Sequence, residues 1–143
     1  MAYATVPLPS MPDPEPVAYL TKAHQNLAVA DLALESGHYD ACSSRAYYAA
    51  FQAAVAALWT EGIRPPREQN RTLSHKAVQA ERSGRLIHRR KLYPPELRRS
   101  LQLLYEVRLD ADYQTEPVSE RVARRAVLRA RQLVTTVMRR LEA

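Results

Sequence analysis

The sequence predicts an all-α protein, an antiparallel bundle of four to five helices behind a proline-rich N-terminal leader. Apolar residues recur at helical spacing through most of the chain, and no stretch alternates as a half-buried strand does. Ala, Leu, Arg and Gln are abundant, and there are only three glycines. The ten prolines gather in the leader and at the breaks between periodic runs rather than inside them. At 143 residues the chain is one domain, long enough to bury roughly two thirds of its unfolded surface without a disulfide or metal.

Residues 1–16 form the leader. Pro7, Pro9, Pro12, Pro14 and Pro16 fix extended geometry and remove backbone donors, so the segment is expected to be disordered. It lacks the basic start and long apolar stretch of a signal peptide. The bundle then occupies residues 17–143. A first helix over 16–36 carries Leu20, Leu27 and Leu34 on one stripe with Ala23 and Ala30 beside it, and stops at Gly37. His24 is expected on this stripe, with Asp31 two turns later. A second helix over 39–61 has Tyr47, Phe51, Ala54 and Leu58 on one face and Ala41, Arg45, Tyr48, Gln52, Val55 and Trp59 on another, which predicts burial on both sides. A lone bundle would then leave Tyr48, Val55 and Trp59 partly uncovered, which predicts a homodimer.

Gly62 and Pro65-Pro66 end the second helix, and a basic loop with Arg64, Arg67 and Arg71 leads to a short third helix over 72–82. Pro94-Pro95 opens a fourth helix with the stripe Leu97, Leu101, Leu104, Arg108 and Ala111. A break over 112–116 precedes a fifth helix that starts at Pro117 and turns Val122, Ala126, Ala130, Leu133, Val137 and Leu141 inward.

Charge and cysteine usage narrow the setting. Cys42, flanked by Ala41 and Ser43, is the single cysteine and suits a buried, reduced thiol in a cytoplasmic protein. Charges interrupt every apolar run, so no segment reaches the roughly 20 residues of a membrane span. The net charge of +6 is clustered. Arg82, Arg85, Arg89, Arg90, Lys91, Arg98 and Arg99 crowd the connection between the third and fourth helices, with Tyr93 near for stacking. A second set, from Arg121 to Arg140, follows the fifth helix. The first cluster, with Arg89, Arg90 and Lys91 at its centre, fits single-stranded RNA or an acidic protein partner.

Arg108 is the sharpest candidate for chemistry. Its spacing places a permanently charged guanidinium on a leucine stripe, where it needs partners or a wet cleft. Asp110, Asp112 or a helix-end carbonyl could hold it structurally; a phosphate would satisfy the same planar fork. Arg45 stands in a similar position one turn before Tyr48 and two before Gln52, so these three could line a polar groove. The four histidines show no metal-ligand spacing, and no metal or cofactor is expected.

The run Ser44-Arg45-Ala46-Tyr47-Tyr48-Ala49-Ala50-Phe51, the preceding Gly37 to Tyr39, and Arg108-Leu109-Asp110-Ala111-Asp112-Tyr113 together resemble the HEPN family, in its small stand-alone prokaryotic branch. The resemblance implies a metal-independent, RNA-directed site in which an arginine orients phosphate and a histidine a few residues later handles the 2′-hydroxyl proton. It also implies a homodimer and a minimal nucleotidyltransferase antitoxin that neutralises a toxin by binding or by transferring AMP to tyrosine. Four intervening residues after Arg108 bring Tyr113 to the histidine position, and six after Arg45 bring Gln52 there. Tyrosine titrates near about 10 and glutamine does not titrate, so the family's acid–base pair is missing. Arg108, Tyr113, Asp112 and Arg45 are therefore the catalytic candidates, with His75 at the start of the third helix as the alternative base. Arg45, Tyr48, Gln52, Arg89, Arg90 and Lys91 are the candidates for RNA or nucleotide binding. The expected function is the HEPN component of a toxin–antitoxin-type pair that binds RNA or nucleotide without the histidine; an active endoribonuclease toxin and a non-catalytic dimerisation module are the alternatives.

Overall fold

The computed structural model of the protein describes residues 16–63, 75–81, 93–97 and 99–142. Residues 1–15 of the leader, the basic loop after Ile63 and the 82–92 connection with Arg89, Arg90 and Lys91 lie outside them, while Pro16, the last leader residue, already opens the first helix. The described residues form α1 (Pro16–Glu35), α2 (Tyr39–Thr60), α3 (His75–Glu81), a 3-10 turn (Pro95–Leu97), α4 (Ser100–Tyr113) and α5 (Glu120–Glu142), with no strand among them. The predicted all-α bundle is the observed one.

α2 is the central helix and packs against α1, α4 and α5, with α3 against it as well. Its surface explains the arrangement. Ala46, Ala49, Ala50, Ala53, Ala54, Ala56 and Ala57 are all buried, and every residue from Ala53 to Trp59 is out of solvent. A helix apolar all round must be covered all round. Val55 and Trp59 are covered by the chain itself, with Tyr19 of α1 meeting the Trp59 ring edge-on at 5.0 Å. They therefore lend no support to a dimer. Of the three residues expected to need a partner, Tyr48 alone is exposed, at 37 %.

α1 and α2 form a helical hairpin closed by one cap geometry used twice. Gly37 N–H bonds Leu34 O and His38 N–H bonds Ala33 O, while at the far end of α2 Gly62 N–H bonds Trp59 O and Ile63 N–H bonds Leu58 O. Both are Schellman motifs, with Gly37 and Gly62 at φ of 78° and 77°.

Other boundaries and faces depart from the expectation for local reasons. α4 begins at Ser100, because Pro94-Pro95 support a 3-10 turn first, yet Leu97, Leu101 and Leu104 are buried as the stripe required. α5 begins at Glu120 rather than Pro117. Ser119 accepts the Val122 N–H on Oγ and the Ala123 N–H on its carbonyl, and Asp40 Oδ1 takes the Val118 N–H at 2.8 Å. That start sets the phase of the helix, so Ala123, Ala126, Val127, Ala130, Leu133, Val134 and Val137 face inward and Val122 is 40 % exposed. Tyr93 is buried in the core and unavailable for base stacking. His24 is exposed and off the leucine stripe, and Asp31 instead accepts on both carboxylate oxygens from a single nitrogen, Nη2, of Arg131 on α5.

Two predictions follow from the packing. Gly37→Ala should lower stability by about 1 kcal/mol, seen in a denaturant melt, because a Cβ meets nothing within 4 Å and only the positive φ resists it. Burial and, secondarily, the Asp31 carboxylate push the Cys42 thiol up to about 11. It therefore stays protonated at pH 8, and a disulfide reagent should label it only on unfolding. Immediate stoichiometric labelling of the native protein would contradict that placement.

Candidate phosphate-binding site at Arg108

Arg108 ends the leucine stripe of α4 where the bundle core gives way to solvent, with 22 % of its side chain still accessible. Its guanidinium carbon lies 5.3 Å from the Tyr48 ring centre, 5.4 Å from Tyr47 and 5.9 Å from Tyr105. Three electron-rich faces thus surround one cation, a cation–π arrangement that favours guanidinium over a point-charge ammonium. Helix spacing builds the cage, since Tyr105, Arg108 and Asp112 repeat at three and four residues on α4, and Ser44, Tyr47 and Tyr48 lie within one turn on α2.

Asp112, not Asp110, is the carboxylate partner. Its Oδ2 sits 3.2 Å from Arg108 Nε, an ion pair without an aligned hydrogen bond, and its Oδ1 accepts the Ser44 hydroxyl at 3.0 Å. The aspartate therefore holds Arg108 on one edge and ties α4 to α2.

His75 joins the same cluster from α3. Its ring stacks on Tyr105 at 3.9 Å with planes 14° apart, its Nδ1 is 3.0 Å from the Tyr47 hydroxyl, and its Nε2 is 3.1 Å from Gln102 Oε1. Burial pushes the Tyr47 phenol well above its ordinary value, with the Arg108 charge opposing. The phenol stays protonated and donates to Nδ1, which places the imidazole proton on Nε2, where Gln102 Oε1 accepts it. Gln102 in turn donates to Glu106 Oε2 at 3.2 Å. Every donor in this chain meets an acceptor. Both ring nitrogens of His75 are engaged, so it orients the aromatic wall and is not poised to take a proton from a substrate.

The second candidate arginine stands apart. Arg45 Nη1 donates to Asn26 Oδ1 at 3.1 Å, and Asn26 Nδ2 donates to Gln52 Oε1 at 2.7 Å. Arg45 and Gln52 are thus joined through α1, while Tyr48, between them along α2, turns its ring to Arg108. Tyr113 is 74 % exposed at the end of α4. Five residues of helix turn it about 140° away from Arg108, so the histidine position and the arginine do not share a face within one chain. Among the described residues no three His, Cys, Asp or Glu side chains gather to hold a metal ion.

Sequence reasoning missed Tyr105, Gln102 and Asn26 as members of these clusters and read Tyr47 as core only. Tyr105 was accessible to it, one turn before Arg108; Asn26 was not, since nothing local to α1 marks the α2 residues opposite it.

A leucine at position 108 tests whether the arginine is there for the fold. Arg108→Leu continues the apolar stripe and removes a half-buried charge, so thermal stability should stay within about 1 kcal/mol of the parent or rise. A loss of about 3 kcal/mol would make Arg108 a structural residue.

The HEPN domain family model matches residues 17–141, from the second residue of α1 to the last turn of α5. Comparison with curated proteins returns no match. A match spanning nearly all of the described bundle, together with its all-helical architecture, shows that the chain belongs to the HEPN domain family.

Proposed function

We propose that this HEPN protein binds RNA or a nucleotide through phosphate at Arg108 and does not cut it, acting as the HEPN component of a toxin–antitoxin-type pair with a minimal nucleotidyltransferase. One observation carries the binding half. A cation at the end of an apolar stripe is caged by three tyrosines and balanced by one exposed carboxylate, while part of its side chain remains open to solvent. A guanidinium held in this way is pre-ordered for a bidentate phosphate contact. The exposed Tyr48 ring beside it offers a face for a base, and the net charge of +6 favours a polyanion.

The absence of cleavage rests on the bases. Tyr113 points away, Gln52 is bonded to Asn26, and His75 is occupied on both nitrogens. The cytoplasmic setting rests on the single cysteine, read as a reduced thiol, while the homodimer and the antitoxin partner are carried by the family resemblance. A dimer that covers Tyr48 would bring a second Arg108 cluster to the same groove. Cleavage is the second reading, favoured by one contact: His75 lies against Tyr105, which borders Arg108, and would serve as base only after leaving the Tyr47 hydroxyl.

Fluorescence anisotropy with a short labelled single-stranded RNA separates these readings. Arg108→Leu should weaken binding about tenfold or more and reduce the salt slope by about 0.7. Replacing Arg89, Arg90 and Lys91 together with alanine should lower the slope by about 2 without unfolding the bundle. In EDTA the parent protein should leave the RNA intact. RNA binding untouched by Arg108→Leu would overturn the assignment, and cleavage lost in both Arg108→Leu and His75→Ala would establish the enzyme reading instead.

A further inference from the structure

The polar groups around Arg108 and those around Arg45 lie on either side of one open strip of α2. α1 and α4 both pack on α2 but not on each other, so the strip between them is a trough with α2 as its floor. Ala41, Ser44, Arg45, Tyr48 and Gln52 recur along it at three and four residues and keep solvent contact, over about 16 Å of helix. The trough ends at Val55 and Trp59, which are buried. Tyr48 stands in its middle, turned about 40° from Ser44 and about 60° from Arg45 round the helix axis. Ser44 holds Asp112 and Arg45 holds Asn26, so the α4 cluster is on one side of the ring and the α1 cluster on the other.

The α1 side has a fixed polarity. A guanidinium only donates, so Asn26 turns Oδ1 to Arg45 at 3.1 Å and gives an Nδ2 hydrogen to Gln52 Oε1 at 2.7 Å. That chain leaves the Nε2 donors of Gln52 and most of the Arg45 N–H groups for a ligand. Arg45 is oriented by a neutral amide and meets no carboxylate among the described residues, so its charge is undiminished. On the α4 side both oxygens of Asp112 are engaged, Oδ1 by Ser44 and Oδ2 by Arg108. The groups flanking Tyr48 therefore offer donors from both sides, and the carboxylate among them is already taken. Such a surface selects a ligand rich in acceptors with negative charge at two places.

Tyr48 supplies a platform between those two places. Arg108 covers one face of the ring, 5.3 Å from its centre, and Tyr47 meets it at 5.2 Å with the planes 64° apart. The remainder of the ring is open to solvent. Resting on the reading of Arg108 as a phosphate contact, we propose that the trough binds a two-nucleotide step of single-stranded RNA, with a base on the open part of Tyr48, one phosphate at Arg108 and the neighbouring phosphate at Arg45. A base stacked on the ring sends the phosphates before and after it in opposite directions along the strand, and the two arginines stand on opposite sides of that ring. A mononucleotide carries all its phosphate on one side of its base and reaches one arginine only. The ligand class is therefore an oligonucleotide strand rather than a free nucleotide.

The probes are 5′-phosphorylated diadenylate, pApA, and ADP, which carry similar charge and the same base but place their phosphates differently. Calorimetric titration of the full chain at fixed salt should show pApA binding about tenfold tighter than ADP, or more. Arg45→Gln keeps a donor for Asn26 and should bring pApA down to the affinity of ADP. Tyr48→Leu should weaken both ligands. Arg108→Leu should also weaken both, and this arm tests the reading on which the inference rests. Equal affinity for pApA and ADP in the parent, or an undiminished preference for pApA in Arg45→Gln, would overturn the two-phosphate assignment even where Arg108→Leu still weakens ADP. If Arg108→Leu leaves both ligands unchanged, the reading of Arg108 falls and the assignment falls with it.

Discussion

Close approach of three helices to α2 is the constraint from which the rest of the molecule follows. Seven alanines between Ala46 and Ala57 are buried on α2, and small side chains on a central helix let its neighbours come near on every side. The consequence is a central helix whose buried surface is mostly alanine, with large buried side chains of its own at Tyr47, Val55, Leu58 and Trp59. Further bulk is supplied from outside, by Leu27 on α1, Leu97, Leu101 and Leu104 before and on α4, and Leu133, Val134 and Val137 on α5. A larger residue in the alanine run would force these helices apart, since interiors are packed at crystal density and do not absorb extra methylenes.

The same constraint determines where polar chemistry can exist. From Ala53 to Trp59 every position of α2 is enclosed; toward its N-terminal half Ser44, Arg45 and Tyr48 reach the surface. Arg108 belongs to that boundary. It continues the α4 leucine stripe by one more step, to the level at which α2 presents tyrosine rather than alanine. The guanidinium is thereby desolvated on the side of the rings and wet on the other, the condition in which a charged group is held in place yet remains able to contact a ligand. The polar connections around it span three helices: Asp112 to Ser44, His75 to Tyr47, and Gln102 to His75.

Much of the fold was legible because its signals are local. Helix periodicity, the Gly37 and Gly62 stops and the leucine stripe ending in Arg108 are written within a few residues of where they act. Start points were less so: Pro94-Pro95 and Pro117 mark turns, but the helices begin where the Arg99 and Ser119 carbonyls accept the first backbone bonds. The alternation of faces on α2 was visible, while which face α1, α4 and α5 cover was not, and Val55 and Trp59 were assigned to the wrong neighbour for that reason. At the site, Arg108 and Asp112 share a helix and could be paired by spacing. His75, Tyr47 and Gln102 come from three helices, and their meeting depends on a packing geometry that no local pattern encodes.

The length of α3 gives the aromatic cluster a second meaning. Seven residues are too few to sustain a helix against its own nucleation cost, so α3 persists only through what it touches. Val78 anchors it in the core, and His75 fastens its first turn to Tyr47, Tyr105 and Gln102. Tyr47 and Tyr105 are also walls of the Arg108 cage. Folding of this short helix and the shape of the cage are therefore two readouts of one equilibrium: a ligand that turns either ring loosens the latch on α3, and a partner that grips α3 stiffens the walls around the arginine, by the same free energy in each direction.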